Sequence, residues 1–365
     1  MAPALRRYCY SEVVPFAAMV MVECSNVGLN TLFKAATLKG MSYYVFIVYS
    51  DTIATLLLMP FAFICHRKTE LPPFNMSLLY KICLLGFIGF LAQMVGYKGI
   101  DYSTPTLASS ISNLTPAFTF ALAIIFRMEK LKIRSSSSQA KIIGTILSIS
   151  GAFVVILYKG PAIISTTTAS PSISLNQSPI PVSSQSNWAI AGLLLAAEYL
   201  LLSVWYIVQA HIIKTYPAEL VVVFFYNLCA TIISASVCLI AEKNSSAWSV
   251  SVGIALAAIL YSGLFGTSTG TVVHTWGIRL KGPVYIALFK PLSTAIAAVM
   301  GVIFLGDTLY LGSIVGAVII SVGFYVVIWG KAKEENVEDF QISSLESTST
   351  QKVPLLQGYN SDQER

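Results

Sequence analysis

Charged and amide side chains recur within stretches that are otherwise apolar. Glu23, Asn26 and Asn30 follow one another at spacings of three and four residues, so they share one face of a helix. Glu198 lies 175 positions after Glu23 in a similar stretch, and Gln209 follows it. An ionisable side chain inside a membrane costs about 2.5–3.5 kcal/mol and normally faces a bundle interior or a watery cavity. These residues are therefore candidates for binding a solute or a proton; the alternative is that they only hold helices together.

Further polar candidates lie in other apolar stretches. Asp51 is either the partner of a buried cation or a proton carrier, and Gln93 lies on a face that it shares with a tyrosine one turn away. Lys290 directly precedes Pro291, which removes a helical hydrogen bond and frees a backbone carbonyl beside the ammonium group. Interrupted helices of this kind often hold the substrate in transporters. Lys290 would either bind a carboxylate or pair permanently with Asp51 or Glu23.

Metal, cofactor and nucleic-acid chemistry find little support in the sequence. The six cysteines include no CxxC pair, which makes a zinc site or a disulfide framework an unfavourable interpretation. The three histidines form no HxxxD or HExxH pattern of the kind that a membrane enzyme with a metal centre would need. We expect no metal, no cofactor and no nucleic-acid partner, because the net charge of +6 comes from Lys and Arg in short loops, where they set membrane orientation.

The composition places the chain in a lipid bilayer. Of its 365 residues, 55% are hydrophobic and only 11% are charged, and the mean hydropathy is +0.72. Because lipid offers the backbone no hydrogen-bond partner, apolar stretches of this length must be helices. We predict an all-α polytopic membrane protein with ten transmembrane helices, called spans 1 to 10, at about 13–33, 41–64, 78–97, 104–126, 141–158, 188–210, 218–240, 251–275, 283–305 and 310–329.

The distribution of basic residues predicts the orientation. Numbered from the N-terminus, one set of loops and both termini carry fifteen Lys and Arg residues, and the opposite set carries five. Basic loops remain in the cytoplasm, so we expect both termini there. The fifteen residues of the first set are Arg6, Arg7, Arg67, Lys68, Lys81, Arg127, Lys130, Lys132, Arg134, Lys141, Lys214, Arg279, Lys281, Lys331 and Lys333. The five residues of the opposite set are Lys34, Lys39, Lys98, Lys159 and Lys243.

The two halves of the chain resemble each other. Six residues of spans 4 and 5 recur 178 positions later, and six more recur 172 positions later, as if the second copy had a shorter connection. That connection is basic in the first copy and has no Lys or Arg in the second, so one pattern crosses the membrane in two opposite directions. The repeated residues are Pro105, Leu114, Ala117, Ile125, Phe126, Leu131, Gly144, Gly151, Val154, Val155, Ile156 and Lys159. We therefore predict two inverted five-helix repeats.

These patterns define five regions. We predict a cytoplasmic N-terminal segment at 1–12, a first repeat with spans 1–5 at 13–159, and a second repeat with spans 6–10 at 188–331. The intervening residues 160–187 have no charge and are rich in Ser, Thr and Pro, which is typical of a flexible linker outside the cytoplasm. The polar residues 332–365 are predicted to be a disordered cytoplasmic tail.

Several local motifs, which together extend over about 13–333, resemble one plant family. The sequence is similar to the WAT1-related (walls-are-thin) or UMAMIT group of the EamA-type drug/metabolite transporters. The similar segments are NTLFKAA at 30–36, GMS at 40–42, Met59-Pro60, Tyr216-Pro217, LFKPL at 288–292, FLGD at 304–307, LGS at 311–313 and WGK at 329–331. The sequence departs from the pattern at Asp307, where many relatives have glutamate.

The resemblance implies a function that composition and spacing do not provide. It implies transport of small organic solutes, with amino acids for most characterised members and auxin for some, across a plant plasma membrane or vacuolar membrane. We expect a facilitator or exporter of amino acids that works by alternating access, with proton coupling left open. Auxin or a related organic acid is the alternative substrate, and a polytopic membrane enzyme is the remote one.

Overall fold

The computed structural model describes residues 13–68, 75–103, 105–128, 135–158, 161–164, 184–250, 252–305, 309–312, 315–316, 318–319, 321–330 and 333. Within these ranges, seven helices are long and apolar enough to cross a membrane, and two shorter apolar helices follow them. The predicted N-terminal segment, most of the predicted linker and most of the predicted tail lie outside the described ranges.

The first repeat contains five helical spans. They are Val14–Thr37, Tyr43–Lys68, Met76–Asp101, Pro105–Ile111 with Thr115–Ile125, and Ser136–Leu157. Several helices are longer than the apolar stretches predicted, because hydropathy marks the part inside hydrocarbon and a helix continues into the polar interface. Span 5 begins at Ser136, so Lys141 lies inside this helix and is buried, which corrects its assignment to the preceding connection.

The second repeat has the same number of spans. They are Ser184–Thr215, Glu219–Ala241, Ile254–Tyr261 continuing to Thr271–Lys281, Pro283–Ala287 with Lys290–Leu305, and a last span whose longest described helix is Ser321–Gly330. The chain is therefore an all-α membrane protein of ten spans.

Three spans are interrupted along their length. Span 4 changes to a 3₁₀ turn at Ser112–Leu114, and span 9 stops at Ala287 and restarts at Lys290. Each restart places a proline in the first two positions of the new helix, Pro116 or Pro291, where its missing N–H removes no intrahelical bond. Span 8 contains a π-helix at Ser262–Gly270, a conformation that is frequent at functional sites.

Spans 5 and 10 pack against each other in antiparallel directions. A Cβ atom added to Gly323 would lie 2.6 Å from the backbone nitrogen of Ser148. A Cβ atom added to Gly330 would lie 3.0 Å from the carbonyl oxygen of Ser137. From Gly323 to Gly330 of span 10, the contacting residue of span 5 changes from Ser148 to Ser137, so the two helices are antiparallel. Their backbones are in close contact.

Two short strands show where the connections of the repeats lie. β1, Ala162–Ile164, pairs in antiparallel fashion with β2, Leu309–Tyr310, just beyond the end of span 5. β2 belongs to the connection between spans 9 and 10. The corresponding connection between spans 4 and 5 meets the start of span 5, about 33 Å away along its helix. The two related connections lie at opposite ends of the molecule, so the repeats are inverted, as predicted.

The tightest packing joins one half to the other. Span 3 packs on span 6, and the related span 8 packs on span 1; span 2 packs on span 7, and span 4 packs on span 9. Exchange of the two repeats converts the pair of spans 3 and 6 into the pair of spans 8 and 1. It converts the pair of spans 2 and 7, and the pair of spans 4 and 9, into themselves. A cavity bounded by spans 1, 3, 6 and 8 is therefore made by both halves.

We predict that Gly144→Ala destabilises the protein by about 1–3 kcal/mol through overpacking. The added Cβ would lie 2.6 Å from the carbonyl oxygen of Gly323 and 2.9 Å from the backbone nitrogen of Val327, and backbone atoms cannot rotate away. Thermal unfolding in detergent measures the effect. Gly192→Ala is the matched control, because its nearest atom, Cδ1 of Ile111, is 3.9 Å away. Equal melting temperatures of the two variants would contradict close packing of spans 5 and 10.

Candidate functional site

A cavity of about 190 Å³ lies between the two halves. Five of the residues predicted from sequence line it: Asn26, Asn30, Gln93, Glu198 and Lys290. They come from spans 1, 3, 6 and 9, which are far apart in the chain. The fold therefore gathers polar groups from both repeats around one internal space.

Lys290 and Glu23 form an ion pair at the edge of this cavity. The ammonium nitrogen lies 3.0 Å from Oε1 of Glu23 and donates a hydrogen bond of 3.3 Å to Oε2. The side chains are only 8% and 1% exposed, so both charges are removed from water. Of the two partners that the sequence offered for Lys290, the structure selects Glu23. The pair connects span 1 of the first repeat with span 9 of the second.

Glu198 is related to Glu23 by the repeat but has a different environment. It lines the cavity, and its buried Oε2 atom accepts no hydrogen bond. A Cβ atom on Gly96 of span 3 would lie 2.3 Å from the carboxyl carbon of Glu198, so only glycine leaves room for this carboxylate. Glu198 thus presents an acceptor to the cavity, and no cation among the described residues forms an ion pair with it.

The asymmetry between the two acids follows from a single position. Ser112 stands 178 positions before Lys290, so the first repeat has a hydroxyl group where the second has an ammonium group. Ser112 contacts Ser293 at 3.2 Å, and Asn113 donates a hydrogen bond of 2.9 Å to Thr294. These bonds join spans 4 and 9 at their interruptions and fix the start of the helix that carries Lys290.

The other predicted residues lie away from the cavity lining. Gln209 is buried and donates a hydrogen bond of 2.8 Å to Thr275, which joins spans 6 and 8. Pro291 is buried in the wall, where it begins the second helix of span 9. Asp51 is fully buried between spans 2, 3 and 7, behind Gln93.

Several lining residues were not among the predicted site residues. Thr267, Thr271 and His274, whose sequence pattern favoured ordinary packing on one face of span 8, line the cavity, and no described residue forms a hydrogen bond with Nε2 of His274. Their spacing of four and three residues on one helix face is a signal, but the same spacing is typical of ordinary helix packing. Trp205 and Tyr226 complete the wall from spans 6 and 7.

Aromatic rings lie on both sides of the cavity along the bundle. At one end, the ring of Tyr97 is tilted against Phe33 and edge-on to Phe46, with ring centroids 4.5 and 4.9 Å apart. At the other end, Trp205 meets Tyr226 with centroids 5.6 Å apart. The cavity therefore occupies the middle of the bundle, between two packed aromatic clusters.

We predict a non-additive effect for the buried ion pair. Glu23→Gln and Lys290→Met each leave one unpaired buried charge and should cost about 3–5 kcal/mol, whereas the double variant should recover most of this loss. Melting temperatures in detergent measure the three values. Glu219→Gln is the control, because its partner Arg279 is 47% exposed and such pairs contribute about 0–1 kcal/mol. Additive losses in the double variant would contradict a direct bond.

Comparisons with known proteins agree with this architecture. The model of the EamA-like transporter family matches twice, at residues 16–157 and 187–329. Among curated relatives of Arabidopsis thaliana, the WAT1-related protein At5g40240 is 57% identical over 335 residues, which is 91% of this chain and 90% of that protein. The WAT1-related protein At4g15540 is 54% identical over 91% of this chain and 92% of its own length. The WAT1-related protein At3g28050 is 52% identical over 98% of this chain and 99% of its own length.

One solved crystal structure shares the fold. It matches with a TM-score of 0.59 at 15% sequence identity and covers 87% of this chain and 99% of that chain. The two family matches account for the two inverted halves, and the curated relatives are similar along nearly their whole length. The chain therefore belongs to the WAT1-related group of the EamA-like transporter family and is a multi-pass membrane transporter of small solutes.

Proposed function

We propose that this transporter carries amino acids by alternating access. The observation that supports the substrate is the charge arrangement of the cavity. It has one ammonium group, Lys290, already paired with Glu23, and a second acid, Glu198, with no bonded cation. An acceptor of this kind suits the α-ammonium group that every amino acid carries.

The balance of charge distinguishes amino acids from organic acids. Glu23 and Lys290 neutralise each other, so an ionised Glu198 gives the site one negative charge in excess, which a bound cation neutralises. A zwitterion adds no net charge and brings its own cation to Glu198. An organic anion such as auxin would add a second excess negative charge in a medium of low dielectric constant, which is strongly unfavourable.

Neutral and cationic groups are available for the α-carboxylate. Lys290 has hydrogens beyond those that face Glu23, and His274, Asn26 and Asn30 line the same space. Recognition of both charged groups fixes the orientation of the substrate, while the aromatic side chains Trp205 and Tyr226 bound the space for its side chain.

Alternating access is supported by the inverted halves and by the aromatic clusters at both ends of the cavity. When each half adopts the contacts that its repeat-related counterpart makes now, one end of the cavity would open as the other end closes. We also propose that both termini are cytoplasmic, in a plasma or vacuolar membrane. With Lys141 assigned to span 5, the basic residues are distributed fourteen to five, which supports this orientation.

We predict that purified protein in liposomes takes up ¹⁴C-labelled amino acids with saturation and that Glu198→Gln raises their KM at least about tenfold, which is about 1.4 kcal/mol of lost binding. Uptake of a labelled amino-acid mixture, indole-3-acetic acid and malate would be measured side by side. Excess unlabelled amino acid should suppress uptake.

Glu242→Gln is the matched control, because Glu242 lies at the end of the bundle, where it accepts hydrogen bonds from Ser42 and from the backbone N–H of Asn244, and its replacement should leave KM unchanged. Uptake of indole-3-acetic acid without uptake of amino acids would make the organic-acid alternative the correct one. An unchanged KM in Glu198→Gln would remove Glu198 from the substrate site.

We predict that joining Cys83 to Cys229 stops transport. Their sulfur atoms are 3.2 Å apart on spans 3 and 7, which belong to opposite halves. Copper phenanthroline should cross-link them and reduce uptake to that of protein-free liposomes, and dithiothreitol should restore it. Cys83→Ser should be insensitive, whereas Cys238→Ser should respond like the native protein. Full uptake by the cross-linked protein would exclude relative motion of the halves at this contact.

A further inference from the structure

Asp51 is a buried acid that the substrate cavity does not use. It lies about 12 Å along the span 2 helix from its start at Tyr43, and its side chain is fully buried. Both carboxylate oxygens lack a hydrogen bond of ordinary geometry. The side chains of Gln93 and Ser234 approach the carboxylate from spans 3 and 7 without completing such a bond.

No cation faces this carboxylate within the described part of the chain. The titratable groups that interact with it are Tyr97 on span 3 and Tyr226 and Cys238 on span 7, and none of them is cationic. Span 8 also packs on span 2, mainly through its π-helix Ser262–Gly270, which carries no titratable side chain. Asp51 therefore has no counterpart of the lysine that neutralises Glu23.

A carboxylate in such a place must be neutralised in another way. An isolated buried charge is so unfavourable that the group takes up a proton or a cation instead. A metal cation needs a shell of several oxygen ligands, whereas among the described residues Gln93 and Ser234 supply just two polar side chains within hydrogen-bonding reach of Asp51. A proton needs only one carboxylate oxygen, so it fits this site better than a sodium ion.

Gln93 connects the site with the cavity, since it lines the cavity and approaches Asp51. An ionised Asp51 accepts a hydrogen bond from the amide NH₂ group of Gln93. A protonated Asp51 instead donates its O–H to the amide oxygen, which requires the amide to turn over. The group that Gln93 presents to the cavity therefore depends on whether Asp51 carries a proton.

We propose that Asp51 is a proton-binding site, separate from the substrate site, that couples proton movement to solute movement through Gln93. One proton passes from water on one side of the membrane to a carboxylate oxygen of Asp51, and the O–H bond breaks again when water reaches Asp51 from the other side. No oxidation takes place. The coupling rests on the proposed solute transport, whereas the proton binding itself does not.

Infrared spectroscopy tests proton binding without any solute. Purified protein titrated with pH should show a carboxylic-acid C=O band that appears as pH falls. The band should be missing in Asp51→Asn and present in Asp101→Asn, a matched control at the end of span 3. Gln93→Met should keep the band but shift it, because the substitution removes the hydrogen-bond partner of Asp51. This variant retains Asp51, so its result does not depend on whether Asp51→Asn folds. Identical titrating bands in native protein and Asp51→Asn would overturn the proposal.

Liposomes test the coupling with a ¹⁴C-labelled amino-acid mixture and an internal pH-sensitive dye. An inward proton gradient should drive accumulation and acidify the interior in the native protein. Asp51→Asn should lose both effects and keep exchange of labelled for unlabelled amino acid. Accumulation driven by a sodium gradient instead would overturn the coupling. Absence of exchange in the native protein would refute the amino-acid proposal alone, since the infrared result still decides whether Asp51 binds a proton.

Discussion

The arrangement of the bundle depends on placing one ammonium group inside a membrane. Lys290 is 8% exposed and would be strongly destabilising without a counter-charge. Glu23 provides that charge at 3.0 Å, which ties span 1 to the restart of span 9. The restart is held in turn by hydrogen bonds between the interruptions of spans 4 and 9. The ion pair thus connects the two repeats at the depth where the cavity lies.

Duplication with inversion explains why the cavity is chemically asymmetric. The repeats supply Glu23 and Glu198 at related places, but only one of them supplies a lysine. One acid is neutralised within the protein and the other remains available. A structure built from two similar halves therefore presents both a cationic and an anionic group to one small space. This combination matches a zwitterion better than it matches a simple anion.

Small residues make this geometry accessible. Gly96 leaves the room that the Glu198 carboxylate occupies, and Gly144 lets spans 5 and 10 bring their backbones together. In lipid, helices gain little from hydrophobic association with one another, so close packing and interhelical polar contacts provide most of the specificity. In the proposed alternating-access cycle, motion between the halves would therefore exchange one well-packed contact for another.

The sequence by itself determined the ten spans, their alternating direction and the inverted relationship of the halves. These properties follow from hydropathy, loop charge and a repeat, all of which act locally along the chain. It also indicated Glu23, Asn26, Asn30, Gln93, Glu198 and Lys290 as polar groups that need an interior. Only the tertiary structure decided that Lys290 pairs with Glu23, that Glu198 lies against Gly96 and that Gln209 serves packing. Those outcomes depend on contacts between spans far apart in sequence, for which helical spacing alone specifies no partner.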